Sequence, residues 1–575
     1  MPFPRIRELL VLTAMTLALA APSLGATTAA PNILVVLADD QGWGDLGVHG
    51  HPSIQTPHLD QLAQEGAQFT RFYVQPVCAP TRAEFLTGRY HLRGGVYDVS
   101  RGGERLALRE QTLADVLQAA GYATGCFGKW HNGSQYPYHP NGRGFDEFYG
   151  FTSGHWGNYF DAMMDRNGDV VTGNGYMTDD LTDHTIAFIR EHQAAATPFL
   201  AYFAVNTPHS PMQVPDVYWD AWDHTRAALA MVENIDHNVG RLLAALDEMD
   251  IADNTIVIYF SDNGPNGWRW NGDFKGVKGH TDEGGIRSPL FVRWPGKIAS
   301  GTLIDAPTGA IDLLPTLADL SGIQLKSPLP LDGSSFAQTL LTAAPPPEDR
   351  HLFAHWRDQV SVRGDRWMLD QHGELFDLEN DPQQRQSVTK AHPQVTSDLR
   401  QRVAEWRADM AATGAIQDPA ITLGHPDARY TPLPARDAKL HGTLERSNKY
   451  PNDSYVRHWT STEDRLTWQV DVPADGRFTV SLYYTCSPEN VGSTIQLDCG
   501  DASIRTTITE AWDPPELGAA HDRIPRQESY VKDFASLRLG EIFLSAGEAT
   551  LSLHCPEIVG TTALEFRLLQ FERLP

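Results

Sequence analysis

Four short groups of polar residues carry chemistry, and each follows an apolar run. They are Asp39-Asp40, Lys129-Trp130-His131, Asn206-Thr207-Pro208-His209 and Ser261-Asp262-Asn263-Gly264. Asp39, Asp40, Asp262 and Asn263 offer only oxygen ligands. An all-oxygen set suits a hard cation, Ca²⁺ or Mg²⁺, and not Zn²⁺. His131 and His209 are acid–base candidates, because imidazole titrates near neutral pH. A fifth group centres on Cys78, in Val77-Cys78-Ala79-Pro80-Thr81-Arg82. Pro80 suits the first turn of a helix, which puts Cys78 at its positive end. The expectation is a reactive thiol of lowered pKa.

The elements that must position these groups are legible. Asn32 to Ala38 is a continuous apolar run, as a buried parallel strand requires. Ala123 to Gly128, Phe199 to Val205 and Thr255 to Phe260 read the same way. Helices are predicted over Thr56 to Glu65, with Thr56 as N-cap and Pro57 at the first position, over Thr112 to Ala120, and over Thr225 to Met249. Strands alternating with helices indicate an α/β domain with a mostly parallel sheet. Open sheets of this kind bind ligands at the carboxyl ends of their strands, so the four polar groups converge on one site.

The texture changes near Pro345-Pro346-Pro347. Gln359 to Leu378 reads as short antiparallel strands and Val395 to Met410 as a helix, a small α+β subdomain. Gly414 to Leu440, rich in Pro, Gly, Asp and Ala, reads as a linker. Alternating stretches follow at Leu466 to Val472, Phe478 to Tyr484, Ile542 to Leu553 and Ala563 to Phe571, which indicate a β-sandwich. Trp459, Trp468 and Trp512 are candidates for a sugar platform, with the core favoured for Trp468. Cys486 could pair with Cys499, or either with Cys555, and an odd total of 5 cysteines leaves at least one unpaired.

Composition narrows the function classes. The 575 residues carry 46 basic and 72 acidic side chains, net −26. That excludes a general nucleic-acid or membrane-surface binder. Arg5 and Arg7, the apolar run Leu9 to Ala21 and the small residues Ser23-Leu24-Gly25-Ala26 read as an export signal. The mature protein is expected in the periplasm or secreted, with no membrane segment.

Taken with Leu86-Thr87-Gly88-Arg89, the Cys78 run resembles the type I sulfatases, the formylglycine-dependent members of the alkaline-phosphatase-like superfamily. The match extends to Pro31-Asn32-Ile33 leading into Asp39 through Asp45, to Gly128 through His131, and to Ser261 through Gly264. It continues through Glu283-Gly284-Gly285-Ile286-Arg287 to Asp377-Leu378 with Asp381-Pro382. It covers about residues 31 to 410. The expected organisation is a signal peptide at 1–26, the catalytic domain at 27–345, its C-terminal subdomain at 346–415, a linker at 416–440 and a sandwich, a candidate carbohydrate-binding domain, at 441–575.

The resemblance implies that a maturation enzyme oxidises Cys78 to formylglycine. One hydroxyl of the hydrated aldehyde then attacks sulfur, and loss of the other's proton expels sulfate. It also favours Ca²⁺, held by Asp39, Asp40, Asp262, Asn263 and the converted Cys78. Arg82 orients the hydrate, and Lys129 and Lys278 contact it or the sulfate. Lys278 is matched through Lys278-Gly279, with Lys275 as the alternative. His131 takes the proton as sulfate leaves, and His209 donates to the leaving oxygen, with Lys278 as a possible partner. The implied substrate is a sulfated saccharide or an aryl sulfate. A phosphodiesterase or phosphonate monoester hydrolase of the same superfamily is the alternative. Gly154 to Tyr159 and Asn266 to Asn271, dense in aromatic and hydrogen-bonding residues, are the candidate specificity loops.

Overall fold

A computed structural model describes residue 1 and residues 30–219, 224–346, 349–413 and 420–575. Residues 2–26 of the expected export signal, and its cleavage site, lie outside the described residues. Among the described residues no helix is long and apolar enough to cross a membrane.

Four strands form the centre of a ten-stranded sheet: β1 (Asn32–Ala38), β2 (Ala123–Lys129), β3 (Phe199–Ala204) and β4 (Thr255–Ser261). Their spatial order is β4-β1-β3-β2, and all neighbours run parallel. Glu147–Phe151 continues the parallel run beyond β2. Shorter strands, partly antiparallel, extend both edges. Every residue of the four central strands is buried, because helices cover both faces. Alternation sends Ile33, Val35 and Leu37 into one apolar core and Leu34, Val36 and Ala38 into the other.

Register fixes the site. Leu37 is level with Ala204 and Phe260, Ala38 with Ser261, and Gly128 with Ala204. The chain therefore leaves all four strands at one level. The ladder extends one step further, with Asp39 N–H donating to Thr207 O at 3.0 Å and Asp262 N–H to Ala38 O at 3.1 Å. At Gly128 (φ 112°) a Cβ would meet Ala204 O at 2.0 Å, so only glycine lets these strands close up.

Thr112 caps Leu113–Ala119 through a reciprocal capping box with Asp115. Thr56 precedes Pro57–Glu65, but its side chain does not cap it. Its hydroxyl accepts from Gly47 N–H and donates to Asp60 instead.

A four-stranded antiparallel sheet spans Leu352–Trp356 to Leu375–Asp377, and helix Pro393–Ala412 packs on it. Beyond it, two six-stranded sheets enclose a separate core as a sandwich. The segment expected as a linker differs. Ile421–Thr422 and Tyr430–Pro434 are strands of that sandwich, paired to Arg465–Val472 and Glu565–Arg573. Trp459 and Trp468 are both buried in its core, so neither is a sugar platform, whereas Trp512 is 42% exposed. Cys486, Cys499 and Cys555 are free thiols in the same core, so none of the pairings left open by the sequence is present among them.

Candidate active site

Helix α1 (Cys78–Thr87) begins at Cys78 and is buried throughout. Cys78, Asp39 and Asp262 bring their ligand atoms within 4.8 Å of one another. The thiol departs from expectation. Burial pushes it up, and Lys129 and Lys278 only partly oppose this. Its position at the helix end does not outweigh removal from water.

The carboxylate and amide ligand candidates are fully buried, and Asp39, Asp40 and Asn263 are each held at one side-chain atom, whereas Asp262 also accepts from Asp40 N–H at 3.3 Å. Lys129 Nζ lies 2.6 Å from Asp39 Oδ2, and Lys278 Nζ 2.6 Å from Asp40 Oδ1. Arg82 clamps Asp262 Oδ2 with two donors, at 2.8 and 3.0 Å, and donates to Lys129 O at 2.8 Å. Asn263 Nδ2 donates to Asp40 Oδ1 at 2.8 Å. Asp39 Oδ1, Asp40 Oδ2 and Asn263 Oδ1 remain, buried and without a hydrogen-bond partner among the described residues. Orphaned buried oxygens on three neighbouring side chains are costly unless a cation takes them. With no nitrogen ligand in the set, a hard divalent cation of the Ca²⁺ type fits.

The electrostatics agree. Burial, then the nearby Asp39 carboxylate, push Asp262 up to about 6, as expected of carboxylates crowded without a counter-ion. Burial acts to raise Asp40 too, but Lys278 and His209 overcome it and hold that carboxyl below its ordinary range. Asp40 also holds a left-handed backbone, φ 68°, and His131 another at 64°. Non-glycine residues persist there only when their surroundings enforce it.

Neither imidazole titrates near neutrality. Burial, then Lys129, hold His131 well below its ordinary value. Burial, then Lys278, lower His209 to about 4. His131 Nε2 donates to Val99 O at 2.8 Å, which leaves a bare lone pair on a buried, unpartnered Nδ1. A neutral imidazole so placed can accept a proton. His209 Nδ1 donates to Ser210 O at 2.5 Å, and its Nε2 lies 3.7 Å from Asp40 Oδ2.

Every site residue expected from sequence meets here. Of the two lysines, Lys278 faces the carboxylates, while Lys275 pairs with Asp282 at 3.0 Å and Asp370 at 3.6 Å. His155 was missed as a site residue. Its ring stacks on His209 with centroids 5.5 Å apart, and its buried Nε2 has no partner among the described residues. Its only sequence signal was membership of the aromatic loop. The rest of that loop packs. Tyr159 is fully buried and its hydroxyl bonds to Asn206 O at 2.8 Å and His209 O at 2.7 Å. In the second loop Arg269 pairs with Asp45 at 2.6 Å, and Trp268 is 74% exposed.

Comparison with known proteins gives two family matches: Sulfatase over residues 31–323, and N-sulphoglucosamine sulphohydrolase, C-terminal, over 278–409. The chain is 35% identical to N-acetylgalactosamine-6-sulfatase of Canis lupus familiaris over 363 residues, 57% of this chain and 69% of the relative. It is 33% identical to arylsulfatase A of Homo sapiens over 509 residues, 75% of this chain and 97% of the relative. Among solved structures, that of Ps i-CgsB in complex with k-i-k-neocarrahexaose superposes with a TM-score of 0.63 at 30% identity, covering 68% of this chain and 94% of that one. The alkaline-phosphatase-like fold class accords with these matches.

Proposed function

The chain belongs to the sulfatase family and is a sulfuric ester hydrolase, and from that premise we propose that it is an exported enzyme removing sulfate from a saccharide, with Cys78 converted to formylglycine and Ca²⁺ bound beside it. One observation carries the site assignment. The unpartnered oxygens of Asp39, Asp40 and Asn263 lie on the same strand-end residues that surround Cys78 and Asp262.

We assign Asp39, Asp40, Asp262, Asn263 and residue 78 as the metal ligands. A calcium ion held there supplies positive charge that draws electrons from the sulfate oxygens. Conversion of Cys78 supplies a hydrated aldehyde, with one hydroxyl to attack sulfur and a second to let sulfate go.

The remaining work falls to the side chains. Arg82 spends its fork on Asp262 and the Lys129 carbonyl, so it fixes a ligand and the strand end instead of moving. Lys129 offsets the buried charge of Asp39. Lys278, 19% exposed where the others are sealed, is the cation left to contact a sulfate oxygen. His131 Nδ1, held neutral, accepts the proton of the second hydroxyl. The His209–Lys278 pair flanking Asp40 protonates the leaving oxygen, with the proton drawn from Lys278, because neutral His209 commits its N–H to Ser210 O.

The saccharide reading is supported by the carrageenan-type ligand of the 30%-identical structure and the sugar-sulfate name of the 35%-identical relative. Export is supported by the n-region, apolar run and small residues of 1–26.

The test is paired turnover by calcium-loaded, converted enzyme on an aryl sulfate and an aryl phosphodiester, then on sulfated oligosaccharides. Dominant sulfate release is expected. Dominant phosphodiester turnover would overturn the substrate class and leave the metal and nucleophile in place.

A further inference from the structure

The site has a wall that the catalytic domain does not supply. His155, stacked on His209, has Nδ1 3.5 Å from Nδ2 of Asn452, a residue of the C-terminal sandwich. A Cβ on Gly154 would sit 2.5 Å from that same Nδ2 and 2.7 Å from His131 Nε2. Asn452 therefore lies beside both site histidines that flank it, and Gly154 is what lets it approach. A second sandwich residue, Glu528, accepts a hydrogen bond from Ser210, the neighbour of His209. Asn266 Nδ2 lies 3.5 Å from that serine hydroxyl.

Both sandwich residues are held in place from behind. Asp453 and Ser454, next to Asn452, are buried, and Asp453 forms a buried ion pair with Arg567 and accepts from Gly157 N–H. Such a pair adds little net stability and chiefly fixes geometry. Asn448 Nδ2 donates to Gln527 O at 2.8 Å, tying the two sandwich segments together. Asn452 and Glu528 themselves stay only half-buried. A rigidly mounted, part-exposed amide and carboxylate are the usual partners of sugar hydroxyls.

We propose that Asn452 and Glu528 form a sugar subsite beside the leaving oxygen, and that the ring bound there carries free hydroxyls and no second sulfate. The amide donates to and accepts from hydroxyls. The carboxylate accepts from them and repels a neighbouring sulfate. The proposal rests on the saccharide reading above.

The experiment uses the full chain, converted and calcium-loaded, with 4-nitrophenyl sulfate and with disaccharides bearing one sulfate or a second on the adjoining ring. Asn452→Ala is expected to lower the ratio of kcat/KM for the monosulfated disaccharide to that for the aryl sulfate about tenfold, the loss of one good hydrogen bond. Glu528→Gln is expected to narrow the preference for one sulfate over two by a similar factor. In a Cys78→Ala background, which binds without turnover, calorimetric Kd values for the monosulfated disaccharide should rise in step. If wild-type enzyme cleaves the disaccharides and both ratios stay within about twofold, the subsite is wrong and the saccharide reading stands. If wild type cleaves only the aryl ester, the saccharide reading fails and the subsite with it. Should Asn452→Ala not fold, Glu528→Gln carries the same decision.

Discussion

Asp40 Oδ1 and Asn263 Nδ2, 223 positions apart in the chain, meet at 2.8 Å across the ends of adjacent parallel strands. The contact settles which way the Asn263 amide faces, because its nitrogen is committed to Asp40 and its oxygen is left bare. The bare oxygen is the atom that the proposed metal site would take from asparagine.

Removing a ligand should remove the ion. Asp262→Ala is expected to lower bound calcium, measured by atomic emission, at least about tenfold, in keeping with loss of a carboxylate from a small hard-cation site. It also strands the fully buried Arg82, so stability should fall by about 3–5 kcal/mol. Asp262→Asn should lose calcium with a smaller fall in stability. Unchanged calcium content in either variant would reject Asp262 as a ligand.

Cys78→Ala should fold and lose at least about three orders of magnitude in kcat, since alanine has no Cβ heteroatom through which the aldehyde that both attacks and releases could form. Peptide mass analysis of active enzyme should show aldehyde at position 78. Full activity in the alanine variant, or an unmodified thiol in active enzyme, ends the mechanism.

His209→Ala should depend on the leaving group. An alcohol that leaves poorly needs a proton, and a nitrophenol does not. The expected loss is about 10²–10⁴-fold for alkyl or sugar sulfates and far less for nitrophenyl sulfate. An equal loss across leaving groups would assign His209 to positioning alone.

His91 and His355 should set the acid limit of stability. Their rings lie 5.3 Å apart. Burial, then His355, lower His91 to about 3, and burial lowers His355 to about 4. Both folded values lie below the unfolded value near 6.5. Their stabilising contribution is complete above pH 6.5 and is lost as pH falls through these folded values, because the unfolded chain binds protons that the folded chain refuses. The slope is about 1.4 kcal/mol per pH unit for the fully buried His91, and smaller for the partly exposed His355. His91→Gln, which keeps a donor for Val96 O, should flatten urea-unfolding midpoints between pH 6.5 and 4. A midpoint equally steep in wild type and variant would exclude His91.

The strand-end site was legible because parallel strands buried on both faces read as unbroken apolar runs, so the polar residues closing them stand out. The linker was misread for a reason of composition. Tyr430–Pro434 contains Pro432 and Pro434, yet it pairs with Glu565–Arg573 at the sheet edge, where a missing N–H is tolerated. The Cys78 thiol was misjudged because helix-end charge can be read from sequence and depth of burial cannot. Asn452 and Glu528 carried no signal at all, since two domains meeting over a loop is set by packing and not by any local pattern.

The left-handed backbone at Asp40 and His131 has a consequence for anyone selecting hardier forms of this enzyme. Glycine would occupy either backbone more comfortably, but at Asp40 it would strand Lys278 and the Asn263 amide, and at His131 it would open a hole in a packed interior. The strain is therefore locked in by the partners of these side chains, and a screen scored on heat resistance alone would find no relief at these two positions.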